Sequence, residues 1–229
     1  MGQRGLKHPI IQAAGVLDAA EARLLAGAGV THIGFPLRLA HHREDLSEAA
    51  AAAVVATLPG LVTPLLITYL DKAAAIIDLC QSLAVDMVQL HGPAPAATLA
   101  RLKSLAPQLT VVKSLIVQGD NLAELEETIR QTAAWVDGYI TDTFDPATGA
   151  CGATGKVHDW EISRRLVELS PRPVILAGGL TPENVEEAIR RVRPAGVDAH
   201  TGLEGRDGRK DPVRVAAFVE RARAGFAGG

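Results

Sequence analysis

The sequence predicts an α/β protein, a single-domain (β/α)8 TIM barrel, and three observations carry that prediction. Short apolar runs alternate with amphipathic segments eight times along the chain. At 229 residues the chain has about the length one such barrel takes. Near its end, two strand-like runs open into small-residue turns, Gly178-Gly179 and Thr201-Gly202. Paired phosphate-binding turns after strands seven and eight are a habit of this architecture. A doubly wound open sheet uses the same alternation and is the competing fold, but eight units and two late turns favour the barrel. No break in composition suggests a linker, so one domain spans residues 1–229, with a short flexible tail from about residue 225.

The elements follow in order. Ile10 and Ile11 lead through Gln12, Ala13 and Ala14 to Gly15, and Asp18 is placed to cap a helix ending near Gly27. Thr31 to Phe35 reads as the second strand. A polar connection from Arg38 to Glu44 precedes an alanine-rich helix that stops before Pro59-Gly60. The third strand is Pro64 to Tyr69, with its helix from Asp71 to about Leu83. Asp86 to Leu90 is the fourth, broken by His91-Gly92-Pro93 before a helix over Ala96 to Leu105. The fifth strand is Thr110 to Val117, and the helix Leu122 to Thr132 carries Asn121 and Glu124 at capping positions. The sixth strand runs from Gly138 to Asp142.

One long connection, Phe144 to His158, contains Gly149, Gly152 and Gly155, and long loops in compact domains are commonly lids or binding loops. A helix from Trp160 to Leu169 is stopped by Pro171 and Pro173. Val174 to Ala177 is the seventh strand, after which Thr181, Pro182 and Glu183 supply an N-cap, a proline at the first helical position and an early acid. That helix ends near Arg191. Val197 to Ala199 is the eighth strand, and the last helix runs from Asp211-Pro212 to Arg223.

Composition narrows the function classes. Hydrophobic residues make up 48% of the chain and aromatics only 3%, so the core is aliphatic. A net charge of −3 offers no basic field for nucleic acid or an anionic membrane. No apolar run reaches the roughly 20 residues of a membrane span, and no signal-peptide pattern opens the chain. Cys80 and Cys151 lack metal-ligand spacing and no dinucleotide fingerprint is present, so neither a metal nor a redox cofactor is expected. Sparse cysteine fits a reducing, cytoplasmic setting.

In such a barrel, chemistry sits at the C-terminal ends of the strands. Those ends present Gln12 to Gly15, Arg43, Gln89, His91, Lys113, Asp142, the Gly155-Lys156 loop, Gly178-Gly179 and His200-Thr201-Gly202. Glycine turns leading into helices expose N–H groups that bind anions, although a Gly-Gly turn is also an ordinary strand-to-helix connection. Asp142 reads as an acid–base group, with capping or pairing as the plain alternative. Arg43 reads as an anion contact or a solvated loop charge. His91 before Gly92-Pro93 suits a structural hydrogen bond, His32, His41 and His42 suit structural or surface roles, and Cys80 suits the core.

Four segments together carry a family resemblance: Val88 to Gly92, Gly152 to Trp160, Leu176 to Val185, and Val197-Asp198 with Thr201 to Glu204 and Gly208 to Asp211. Along nearly its whole length the chain resembles phosphoribosylanthranilate isomerases, the (β/α)8-barrel enzymes of tryptophan biosynthesis. The resemblance implies an Amadori rearrangement of a phosphorylated N-glycoside to an amino-deoxyketose, with Asp142 as the acid that opens the sugar ring. It implies substrate contacts from Arg43, Gln89, His91 and Asp198, and phosphate contacts from Gly155, Gly178, Gly179, Thr201 and Gly202.

The family's general base is a cysteine ending the first strand, and that position here is Ala14, with Gln12 in place of the family's lysine. Alanine takes no proton, and losing a positioned base costs on the order of 10²–10⁴ in rate. Two imidazoles are new instead: His200 replaces a serine beside the late phosphate turn, and His158 replaces a phenylalanine in the long connection. His200 is the better substitute base by position. The missing thiolate also leaves open another reaction on a related phosphorylated substrate, through Asp142 with His200 or His158, or a non-catalytic sugar-phosphate binder.

Overall fold

Eight parallel strands close on themselves in a computed structural model that describes residues 6, 9–40, 44–145, 150–151 and 158–228. The ring starts at β1 (Ile10–Ala14) and passes through β2 (His32–Pro36), β3 (Thr63–Thr68), β4 (Met87–Leu90), β5 (Thr110–Val117) and β6 (Gly138–Asp145). It continues through β8 (Val174–Leu176) and β9 (Gly196–Ala199), and β9 pairs back to β1 with Gln12 opposite Asp198. The extra strand, β7 (Ala150–Cys151), is a two-residue partner running antiparallel to Phe144–Asp145. The helices are α1 (Ala19–Ala28), α2 (Glu48–Val55), α3 (Ala73–Leu83), α4 (Ala96–Leu105), α5 (Leu122–Thr132), α6 (Trp160–Leu169), α7 (Val185–Val192) and α8 (Pro212–Ala227).

Side-chain alternation along the strands divides the apolar residues into two cores. Ile10, Ala14, Leu65, Ile67, Met87, Val112, Ile140, Ile175 and Ala177 fill the inside of the ring. The opposite parity, including Ile11, Ile33, Leu66, Val88, Val111, Tyr139 and Val197, packs outward in the much larger core shared with the helices. Both faces are therefore buried, which is why the strands read as continuous apolar runs. The doubly wound alternative is excluded by the β1–β9 pairing that closes the sheet.

Local chemistry sets the helix ends. Asp18 accepts from the N–H groups of Ala20 and Glu21 at 2.8 and 3.0 Å, and Asp211 caps α8 through Val213 and Arg214 at 2.8 and 2.9 Å. Asn121, expected as a cap, instead bridges backward: its amide donates to Ile116 O and its oxygen accepts from Gln118 N, each at 3.0 Å. Helix α7 begins three residues later than the Pro182 start expected, because Asn184 ties Thr181 N and Gly179 O into a separate turn. Helix α8 continues to Ala227, past the expected start of a frayed tail, since Gly225 packs against Ile189. Among the described residues, no helix is long and apolar enough to cross a membrane.

Candidate functional site

The strand-six side of the barrel mouth is built around Asp142. It shares the interior parity of Ile140, is 8% exposed, and has its Oδ1 accepting from Thr143 N at 2.7 Å. Its Oδ2 lies 3.8 Å from His91 Nε2, and His91 Nδ1 meets Ser114 Oγ at 2.9 Å. Tyr69 packs edge-on against the same imidazole. Burial raises the Asp142 carboxyl above its ordinary range, and His91 and the Thr143 N–H pull against that shift. A buried carboxyl biased towards its neutral form can donate a proton. Strand β6 does not end at Asp142, as the sequence suggested, but runs on to Asp145.

On the strand-one side, Ala14 faces the interior and carries no titratable group. The β1–β9 register sets Ala13 opposite Ala199, which brings Ala14 level with His200, the residue that follows β9. A β-carbon on Gly15 would stand 2.5 Å from His200 Nε2 and 2.7 Å from Asp45 Oδ2, so imidazole and carboxylate both crowd the end of β1. His200 Nε2 is also 3.4 Å from Glu204 Oε1, while Lys210 Nζ donates to His200 O at 3.1 Å and to Glu204 at 3.0 Å. Burial pushes the Asp45 carboxyl up, opposed by Lys210. Burial lowers the Lys210 amine, opposed mainly by Glu204. Neither Asp45 nor Lys210 was singled out in the sequence. The segment Gly208 to Asp211 pointed at Lys210, whereas nothing in the periodicity pointed at Asp45.

Beneath these groups lies a polar layer. Gln12 Nε2 donates to Gln89 Oε1 at 2.9 Å with both side chains buried. Asp198 Oδ1 and Gln12 Oε1 are buried and have no hydrogen-bond partner among the described residues. Burial, and then the charge of Asp142, push the Asp198 carboxyl up to about 7, against a hydrogen bond from Gln12 and the charge of Lys210.

The two late turns touch. Gly178 and Gly179 take φ of 98° and 63°, values that favour glycine. A β-carbon on Gly178 would collide with Thr143 Oγ1, and one on Gly202 with the Leu180 carbonyl. Among the described residues, none accepts from the N–H groups of Gly178, Gly179, Thr201 or Gly202. Helix α8 braces both turns: Arg214 donates to Gly202 O at 3.0 and 2.8 Å, and Arg221 donates to Pro182 O at 3.1 Å.

Two expectations change, and that for Cys80 holds. His158 is a neutral cross-link rather than an acid–base group: Nδ1 meets Thr143 Oγ1 at 2.8 Å and Nε2 meets Ser163 Oγ at 2.5 Å. Burial drives its imidazole down to about 4. Lys113 has the outward parity of Val111 and Leu115, between the ring and its helices, and burial lowers its amine. Cys80 is buried on α3, with its thiol pushed up to about 12 by burial. Arg43, His41, His42, Gly149, Gly152, Gly155 and Lys156 lie outside the described residues, as does the side chain of Cys151.

A sequence model of N-(5'phosphoribosyl)anthranilate (PRA) isomerase matches residues 41–221. The chain belongs to this family. An N-(5'-phosphoribosyl)anthranilate isomerase 2 from Methanosarcina mazei is 38% identical over 217 residues, covering 94% of this chain and 95% of the relative. The phosphoribosylanthranilate isomerase structure from Thermotoga maritima has a TM-score of 0.79 and 25% identity, covering 94% of this chain and all of that one. A second isomerase structure, with a TM-score of 0.77, 24% identity and coverage of 94% and 98%, holds reduced 1-(o-carboxyphenylamino)-1-deoxyribulose 5-phosphate. This chain is an isomerase of the phosphoribosylanthranilate isomerase family, with alanine where the resemblance places a cysteine base.

Proposed function

We propose that the chain rearranges N-(5'-phosphoribosyl)anthranilate to 1-(o-carboxyphenylamino)-1-deoxyribulose 5-phosphate, with Asp142 as acid and His200 as base. The phosphate is held by the N–H groups of the Gly178-Gly179 and Thr201-Gly202 turns, and Gly155 keeps the phosphate role the resemblance implies. Arg43 holds the anthranilate carboxylate, and Gln89, His91 and Asp198 line the sugar. Asp142 protonates the ring oxygen, which leaves an open-chain Schiff base. His200 then removes the C2 proton.

The observation that carries this reading is the position of His200. Its imidazole stands level with Ala14 and against Gly15, so a group able to take a proton occupies the strand end from which the thiolate is missing. The test is direct consumption of N-(5'-phosphoribosyl)anthranilate by the purified chain, followed by loss of the anthranilate fluorescence. Turnover supports the reading. Turnover of a different phosphorylated glycosylamine moves the substrate assignment, and phosphate binding without any turnover leaves a sugar-phosphate binder.

A further inference from the structure

We propose that Asp198 is a second catalytic carboxyl of this isomerisation, paired with Asp142 across Ala177, and that it receives the proton leaving the substrate's C2 hydroxyl as the ketone forms. The inference rests on the isomerase reading above and gives the last proton transfer a residue.

The row of side chains follows from strand register. Ile140 on β6 stands opposite Ile175 on β8, and Ile175 stands opposite Gly196 on β9. Two residues further along each strand, Asp142, Ala177 and Asp198 stand in line, and Gln12 extends the line onto β1. Alternation keeps all four on the inner face. Ala177 contributes only a methyl group, so nothing bulky separates the two carboxyl groups, whose strands are about 10 Å apart at two strand spacings. Inside a closed ring, inward side chains converge.

Asp198 is 8% exposed, and among the described residues neither its Oδ1 nor the Oε1 of Gln12, its register partner on β1, has a hydrogen-bond partner. Buried polar atoms are almost always satisfied, and two unmet acceptors side by side in an interior mark a place where a donor arrives. A sugar hydroxyl is such a donor. Several charged or titratable groups bear on the pair. His91, directly after β4, faces Asp142, Lys210 acts on Asp198, and His200 follows β9 two residues beyond Asp198. Burial and the neighbouring Asp142 charge favour the protonated form of Asp198, and two carboxyls so placed resist ionising together.

The proton count then closes. The pair starts with one proton, on Asp142, and Asp198 ionised; Asp142 gives that proton to the ring oxygen, the C1–O bond breaks with its electron pair on oxygen, and the nitrogen lone pair forms C1=N. His200 removes the C2 proton, the C–H pair becomes C1=C2, and the C=N pair returns to nitrogen. In the final step, the O2–H pair becomes C2=O, C1 takes the proton back from His200, and Asp198 accepts the O2 proton. Between the first and last steps both carboxyls are ionised, the state in which the pair is most basic. Transfer of that proton to Asp142 restores the starting enzyme.

The experiment compares the unmodified chain with Asp198→Asn and Asp198→Glu on N-(5'-phosphoribosyl)anthranilate. Asp198→Asn should lower kcat roughly 10²-fold with KM within about threefold, and Asp198→Glu should recover part of the loss. Its solvent deuterium isotope effect should grow, while the effect of deuterium at substrate C2 should shrink as ketone formation becomes limiting. The alkaline limb of kcat should move to lower pH, because the neighbouring negative charge that keeps Asp142 protonated is gone. A raised KM with unchanged kcat would make Asp198 a substrate holder and overturn the proposal, as would a growing C2 isotope effect. A separate infrared reading at neutral pH should show a carboxylic-acid carbonyl band in the unmodified chain that both Asp142→Asn and Asp198→Asn alter. If the unmodified chain shows no turnover, the isomerase reading and this chemistry fail together, and the band alone reports whether the carboxyl pair exists.

Discussion

The two sides of the barrel mouth are built by different means. Around Asp142, the polar contacts come from strands or from the residue next to a strand end: Ser114 on β5, His91 directly after β4, and the Thr143 N–H on β6 itself. Around Ala14, the titratable groups arrive from connections: Asp45 before α2, His200 and Glu204 after β9, and Lys210 just before α8. A strand fixes both the position and the direction of a side chain, so the acid has one place to stand. A loop can deliver a different residue to the same space. The proposed move of the base from strand one to His200 uses that freedom.

The largest test of this contrast is Asp142→Asn, which should cut turnover by roughly 10²–10⁴ while leaving phosphate affinity within about threefold. Steady-state kinetics beside phosphate titration measures both, and near-normal turnover would place the acid elsewhere.

His158 tests whether the strand-six rim depends on a buried neutral imidazole. Its value falls from 6.5 to about 4 in the fold, so the unfolded chain takes up a proton first as pH drops. Stability should therefore be complete above about pH 6.5 and decline towards pH 4, by on the order of 3 kcal/mol. Asp198 contributes with the opposite sign, since its raised value favours the fold in acid. Urea unfolding at neutral and acid pH should show a shallower decline in His158→Phe than in the unmodified chain. Equal slopes would refute the neutral cross-link.

On the strand-one side, His200→Ala should lower turnover about 10²-fold and spare phosphate binding. Adding Ala14→Cys to that variant should return part of the activity if the two groups serve one role. Failure of both effects would show that the loop does not stand in for the strand. The smallest expected change is at the anion turn: Gly179→Asp should weaken inorganic phosphate binding at least about tenfold through like-charge repulsion and blocked N–H groups. Calorimetric titration of a folded variant with unchanged affinity would move the phosphate site.

The same contrast decides what could be read from the chain. Ala96 to Leu105, Thr110 to Val117 and Leu122 to Thr132 are observed as α4, β5 and α5 with the bounds their periodicity suggested. Apolar spacing and the Pro and Asn residues around them are local signals. The start of α7 was misplaced because Asn184 reaches back to Gly179, a contact that the Thr-Pro-Glu pattern does not announce. The places of the glycine turns after their strands and of Asp142 on β6 were legible because strand order follows from the chain, although the end of β6 was not. Asp45 was not, since its relevance depends on Gly15, thirty residues earlier, lacking a side chain. The neutrality of His158 was equally hidden, because it depends on Thr143 and Ser163 packing from either side.

The seam where β9 meets β1 joins Gln12 to Asp198, nearly the full chain apart in sequence. That seam supplies half the polar row and sets His200 level with Ala14, and α8 clamps the anion turns from the last segment of the chain. No N-terminal fragment can hold the pocket, so the pocket arises in one late event of high contact order. A ligand that binds only the closed ring adds RT ln(1 + [L]/Kd) to its stability. Substrate thus acts as a staple across the seam, and a population of such chains resists proteolysis in proportion to how well it is supplied.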